Sequence, residues 1–169
     1  LISKALILKV VLGLLILGLL IWFVVWPFVL SHFLTAHFYV EDSRVDSWNG
    51  RVVVYADEEK TIPQYAGRLE DGVLQGQGKE YDEAGLLCYE GQFQDGLRSG
   101  TGTEYLDGVV IYEGQFALGV RAGTGTEYAD GVVTYQGQFQ DGVYEGQGKR
   151  YEQGILVYEG AFQGGAASG

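Results

Sequence analysis

From Val10 to Val40 the chain places no charged residue, and polar side chains interrupt the run only at Ser31, His32, Thr35 and His37. Twenty apolar residues in a helix rise about 30 Å, enough to cross the hydrocarbon core of a bilayer. The run predicts a membrane anchor helix within residues 1–40. Trp22 and Trp26 fall in its C-terminal half, where aromatic rings favour the headgroup boundary, and His32 and His37 place polar groups at the same interface. Pro27 kinks or ends the regular helix, which lipid-buried helices tolerate when neighbours satisfy the freed carbonyl. Two alternatives compete. A cleaved signal peptide needs a shorter apolar core and a small-x-small site, whereas here Thr35 and Ala36 lead into His37 and Phe38. A buried core helix would show a polar stripe, and none is present. Lys4 and Lys9 precede the span and Glu41 and Asp42 follow it, predicting an N-terminus inside and the larger C-terminal part outside.

After residue 64 the pattern changes to a period of two. In Val109–Phe116, one face receives Val110, Tyr112, Gly114 and Phe116, and the other Val109, Ile111, Glu113 and Gln115. That is a strand of about eight residues. Thr101, Thr103 and Tyr105 share one face of a second, shorter strand. Asp-Gly at 71–72, 95–96, 107–108, 130–131 and 141–142 supplies the hairpin turns. The whole pattern recurs: Tyr65, Tyr89, Tyr112, Tyr135 and Tyr158 are each followed two residues later by Gly and four residues later by Leu69, Phe93, Phe116, Phe139 or Phe162. A period in the low twenties marks an array in which each unit buries surface only against its neighbours. The fold class expected is an all-β repeat array, an elongated single antiparallel sheet of stacked β-hairpins, behind one N-terminal transmembrane α-helix.

Of the 27 glycines, all but Gly13, Gly18 and Gly50 lie in residues 65–169, so the excess is positional. A strand glycine normally weakens a sheet. Between Tyr and Phe on one face it leaves a gap across which a ring from the neighbouring strand can lie.

The run Tyr89–Gly108, with its Y-x-G, then G, then G-x-G spacing, resembles the MORN repeat (membrane occupation and recognition nexus). The resemblance covers residues 65–169, four units and the start of a fifth. It implies a twisted sheet of stacked hairpins used for protein contacts, scaffolding and sometimes lipid attachment. Residues 41–64 fall outside it and are read as a neck whose strand at 51–55 caps the first repeat. The missing Met and an end inside the fifth unit suggest a chain continuing at both ends.

Charge divides in the same place. Lys4 and Lys9 give residues 1–40 a charge of +2, whereas residues 41–169 hold all 22 acids and the other nine basic residues, −13 in all. That balance excludes nucleic acid binding and, lacking Lys/Arg clusters, argues against repeats that hold anionic lipid. One Cys allows no internal disulfide.

Candidate chemistry is sparse. Gly76-Gln77-Gly78-Lys79 and Gly146-Gln147-Gly148-Lys149 lack the length and context of a P-loop. Cys88 occupies the slot of Ile111, Thr134 and Val157, and no His follows His37 to serve it as a base. His32 and His37 are five residues apart, not the three or four of a helical metal pair, though one could ligate a partner's haem or pigment. No catalytic residue, metal, cofactor or small-molecule substrate is expected. The expected function is non-catalytic: a single-pass membrane protein whose extracytoplasmic sheet binds a protein partner as a docking or accessory subunit of a membrane complex. Tyr89, Phe93, Tyr112, Phe116, Tyr135 and Phe139 are its candidate contacts, although the same rings could simply hold the sheet together. The alternatives are a membrane-anchored immunity protein neutralising a toxin, or the regulatory part of a longer enzyme.

Overall fold

The computed structural model describes Ile16, Gly18, Leu19 and residues 35–169. Within the predicted membrane span only Ile16, Gly18 and Leu19 are described, all helical and exposed, and Trp22, Trp26 and His32 lie outside the described residues. Among those described, no helix is long and apolar enough to cross a membrane. The chain divides into two units, Leu1–Ala36 and His37–Gly169.

Residues 36–169 build one sheet of twelve strands whose spatial order is their sequence order. β1 (Ala36–Tyr39) and β2 (Gly50–Tyr55) are joined by a single 3-10 turn at Val45–Ser47. Then come β3 (Pro63–Glu70), β4 (Val73–Tyr81), β5 (Leu87–Gln94), β6 (Leu97–Leu106), β7 (Val109–Ala117), β8 (Val120–Ala129), β9 (Val132–Gln140), β10 (Val143–Glu152), β11 (Ile155–Gln163) and β12 (Ala166–Ala167). Every pairing from β2 to β12 is antiparallel, as the hairpin pattern predicts. The sheet as a whole is mixed, and β1 is the part that the sequence did not foresee. Residues 36–39, counted with the anchor helix, are extended because Val40 N–H donates to Tyr55 O and Lys60 reaches His37 O. β2 pairs with β3 and lies over the edge of the first repeat.

The hairpins close with two-residue turns in which both residues have positive φ. Asp71, Asp95, Asp107, Asp130 and Asp141 sit at φ 49–52° and the glycines after them at 75–81°. This is the I′ geometry, whose twist matches that of the flanking strands. The β2–β3 and β4–β5 links are longer, and Leu118-Gly119, Gln153-Gly154 and Gly164-Gly165 keep both φ positive without Asp-Gly. Between β4 and β5 the Asp82 carboxylate accepts from the N–H groups of Ala84 and Leu86, accounting for the one spacing of 24 between repeat tyrosines. Between β7 and β8 the turn is Leu118-Gly119, with Leu118 at φ 51° and 83% exposed. A left-handed leucine costs on the order of 1 kcal/mol and here recovers nothing by burial. Leu118→Asn is expected to stabilise the sheet by about 0.5–1 kcal/mol, read as a raised urea midpoint with an unchanged m-value.

The second strand of each unit is longer than expected because its G-x-G is a bulge inside the strand. Gly91 pairs with Gly102 while Gln92 pairs with Ser99, so Gly100 and Thr101 are extra residues on β6. Gly100 takes φ 59° there. The Gln92 side chain accepts from the freed Thr101 N–H at 3.0 Å, and Gln115 and Gln138 do the same for Thr124 and Gln147 at 2.8 Å. Consecutive hairpins are also tied at their turns, where Gly96, Gly119, Gly142 and Gly165 N–H donate to Leu74, Arg98, Arg121 and Tyr144 carbonyls. The bulge therefore repeats with the same capped geometry, and Tyr89, Tyr112 and Tyr135 lie with Phe93, Phe116 and Phe139 on one face, whereas Tyr128 donates to Glu113 on the other.

Candidate functional site

Along β5, Tyr89, Gly91 and Phe93 are buried and alternate with exposed Glu90 and Gln92. The burial explains the glycines. The ring of Tyr89 lies over Gly91 of its own strand and over Gly102 opposite, Tyr112 over Gly114 and Gly125, and Tyr135 over Gly137 and Gly148. The covering ring is thus the tyrosine two residues earlier on the same strand, not the expected neighbour from the next. The phenylalanines of the same strand and of the matching strand in the next hairpin supply the second layer: Tyr89 meets Phe93 and Phe116, Tyr112 meets Phe116 and Phe139, Tyr135 meets Phe139 and Phe162, and Tyr158 meets Phe162. All seven contacts are edge-to-face, with centroids 5.0–5.2 Å apart and planes at 83–89°. Such pairs add about 0.5–1.5 kcal/mol each beyond area burial. The hydroxyls do not stay orphaned, since Tyr89, Tyr112, Tyr135 and Tyr158 donate to the carbonyls of Gln92, Gln115, Gln138 and Ala161.

The six aromatic residues proposed as partner contacts are therefore core. Tyr89, Tyr112 and Tyr135 are fully buried, and Phe93, Phe116 and Phe139 nearly so. A partner lying on this face meets the layer above them. His37 is on β1, not at a helix end, and is exposed, with Nδ1 3.0 Å from Tyr55 Oη.

The layer above the rings is a charge ladder. Arg98 lies over the Tyr89 ring at 4.7 Å and Arg121 over Tyr112 at 4.5 Å. Arg98 Nε donates to Glu80 at 2.9 Å and its Nη1 to Glu104 at 2.7 Å. Arg121 repeats the pattern, with Nε to Glu104 at 2.6 Å and Nη1 to Glu127 at 2.7 Å. Glu104 thus holds two arginines, one on each carboxylate oxygen. Stacking on a ring and pairing with two carboxylates uses the planar, multi-donor guanidinium fully. At the next equivalent position stands Tyr144, which stacks flat on Tyr135 at 3.7 Å and donates to the second oxygen of Glu127 at 2.6 Å. The ladder escaped sequence reading because it crosses hairpins. Its signal was present nonetheless, in Arg98 and Arg121 one period apart and in Glu80, Glu104 and Glu127.

Burial, ahead of the flanking charges, pushes the Tyr89 and Tyr112 hydroxyls up to about 12, and burial with the Glu127 hydrogen bond raises Tyr144 as well. In the unfolded chain these tyrosines ionise near 10. Their contribution to stability is therefore complete below about pH 10 and lost as pH rises toward 12, where the unfolded chain has released protons that the sheet still holds. Alkaline titration followed by far-ultraviolet circular dichroism should show the sheet melting in that window, with the tyrosinate absorbance rising in the same transition.

The first repeat breaks the ladder. Leu74 stands at the position of Arg98 and Arg121, and its side chain fills the slot over Gly67 that a tyrosine fills elsewhere. Tyr65 is left half-exposed, and burial raises its hydroxyl pKa. The result is a groove of about 710 Å³ on the aromatic face, walled by Tyr65, Leu69, Leu74, Phe93, Glu80 and Arg98. Cys88 lies near the ladder, 3.9 Å from Arg98 Nη2, and burial raises its thiol pKa, which disfavours the thiolate. Among the described residues no group of three or more His, Cys, Asp or Glu could hold a metal ion.

This architecture is that of a repeat sheet with one continuous aromatic face. The MORN repeat family matches residues 65–86, 89–108, 112–133 and 135–154, and the chain carries a MORN-repeat domain of four repeats. No curated protein matches the chain. Beyond the matched stretches, Tyr158, Gly160 and Phe162 continue the ring-over-glycine geometry into β11.

Proposed function

We propose that the chain is a membrane-anchored docking subunit whose repeat sheet binds a protein component of a membrane complex, and that its role is binding, not catalysis. The observation that carries this is the groove over the first repeat, where the aromatic face opens beside an ion-paired ladder. An apolar floor with a few fixed charges is the usual composition of a recognition site. The sheet is held by ring contacts, bulge caps and turn-to-strand hydrogen bonds, so it presents this surface rigidly and loses little entropy on binding. Attachment to the membrane rests on the uncharged run before Val40, and the lysine bias before that run favours an extracytoplasmic sheet. The −13 carried by residues 41–169 favours a partner with a basic surface.

Gentle solubilisation of native membranes followed by size-exclusion chromatography tests this proposal. The chain should elute with a larger assembly at fixed stoichiometry. Elution as a free monomer from every native preparation would remove the docking function.

A further inference from the structure

We infer that the groove over the first repeat receives an arginine side chain from a basic segment of the docked partner, which completes the ladder that Leu74 interrupts. This rests on the docking function proposed above and names the chemistry of its contact. The template lies within the chain. Glu104 accepts from Arg98 on one carboxylate oxygen and from Arg121 on the other. Glu127 is filled in the same way by Arg121 and Tyr144. Glu80 has only the second of these partners: Arg98 Nε takes Oε2, and among the described residues nothing is bonded to Oε1. The donor missing from Oε1 corresponds to the arginine that Leu74 replaces.

The surroundings suit that donor. Tyr65 offers a half-exposed ring beside the vacancy, as Tyr89 and Tyr112 do beneath Arg98 and Arg121. Leu69, Leu74 and Phe93 give an apolar floor for the methylene stem of the incoming side chain. Glu104 shows that this face holds two guanidinium groups on one carboxylate, so Arg98 does not bar a second cation. Arginine fits better than lysine because a planar guanidinium can stack on a ring and still donate to a carboxylate in its plane. The excess of acid across residues 41–169 attracts a basic segment and opposes both an anionic lipid surface and a second copy of this chain.

The test uses the full chain, a nine-residue peptide of alternating arginine and leucine, and the same peptide with citrulline in place of arginine. Citrulline keeps the shape and removes the charge. The arginine peptide should bind and perturb the NMR signals of Leu69 and Leu74, and the citrulline peptide should bind at least about tenfold more weakly. Glu80→Gln should cost a similar factor. Leu74→Arg supplies the missing arginine from within and should abolish peptide binding while leaving the sheet folded. If Leu74→Arg fails to fold, Glu80→Gln and the citrulline peptide decide alone.

Equal binding of both peptides, or arginine-peptide binding unchanged by Glu80→Gln, would overturn the inference. Self-association of the chain that disappears in Arg150→Gln, which removes an exposed arginine of β10, would also overturn it, by showing the groove to be filled by a second copy. Co-purification of each variant with the native assembly separates the two proposals. An assembly that persists in both Glu80→Gln and Leu74→Arg keeps the docking function and removes the arginine site. A charge-selective groove on a chain that joins no assembly does the reverse.

Discussion

Replacing Gly114 with alanine is expected to unfold the middle of the sheet. An added Cβ there would come within 2.6 Å of both the Gly125 Cα on the next strand and the Tyr112 ring carbon Cζ. Neither can move cheaply. The Gly125 Cα is backbone in a paired strand, and Tyr112 is fully buried and hydrogen-bonded to Gln115 O. Overpacking of a closed site costs about 1–3 kcal/mol and sometimes more, and with backbone on one side the upper end applies. In a sheet of consecutive hairpins each unit is stabilised by its two neighbours, so the loss spreads to both sides of β7. Urea denaturation should show a midpoint lowered by the equivalent of about 3 kcal/mol, or a biphasic transition as the outer hairpins separate. By contrast, Gly108→Ala meets nothing within 4 Å and pays only for its left-handed φ of 78°.

Tyr112→Ala is expected to cost about 3–5 kcal/mol, the range for removing a buried aromatic ring. Its ring packs edge-to-face on Phe116 and Phe139, covers Gly114 and Gly125, and lies beneath Arg121. Removal exposes the glycine backbone and leaves Arg121 held by Glu104 and Glu127 alone. Tyr112→Phe keeps the ring and loses only the 3.1 Å hydrogen bond to Gln115 O, which should cost about 1 kcal/mol. Thermal denaturation of the pair separates packing from hydrogen bonding. Near-equal losses would mean that the ring contacts matter less than the hydroxyl.

These effects explain which parts of the molecule were legible in the sequence. The repeat, its strands and its Asp-Gly turns could be read because local chemistry dictates each one: period-two alternation for strands, positive φ for turns. The need for glycine between Tyr and Phe could be read as well, but not which ring covers it, because a bulge at Gly100 decides how the strands pair. β1 was hidden because Ala36–Tyr39 continues an apolar run, and only contacts with Tyr55 and Lys60 extend it. The turn at Leu118 carried no signal at that residue, and was implied only by its place in the period. The aromatic residues chosen as contacts were chosen for their chemistry, and the same chemistry put them in the core. What lies above them, the Arg–Glu ladder and its gap at Leu74, is a relation between hairpins that no single repeat displays.

The central claim is that a protein partner docks on the aromatic face at the first repeat. Its most direct test is photo-cross-linking of the full chain in native membranes, with p-benzoylphenylalanine replacing Tyr65 in the groove or, as the control, Thr126 on the opposite face. Docking at the groove predicts one discrete adduct from position 65 and none from position 126. Adducts from position 126 alone, with position 65 silent, would contradict it.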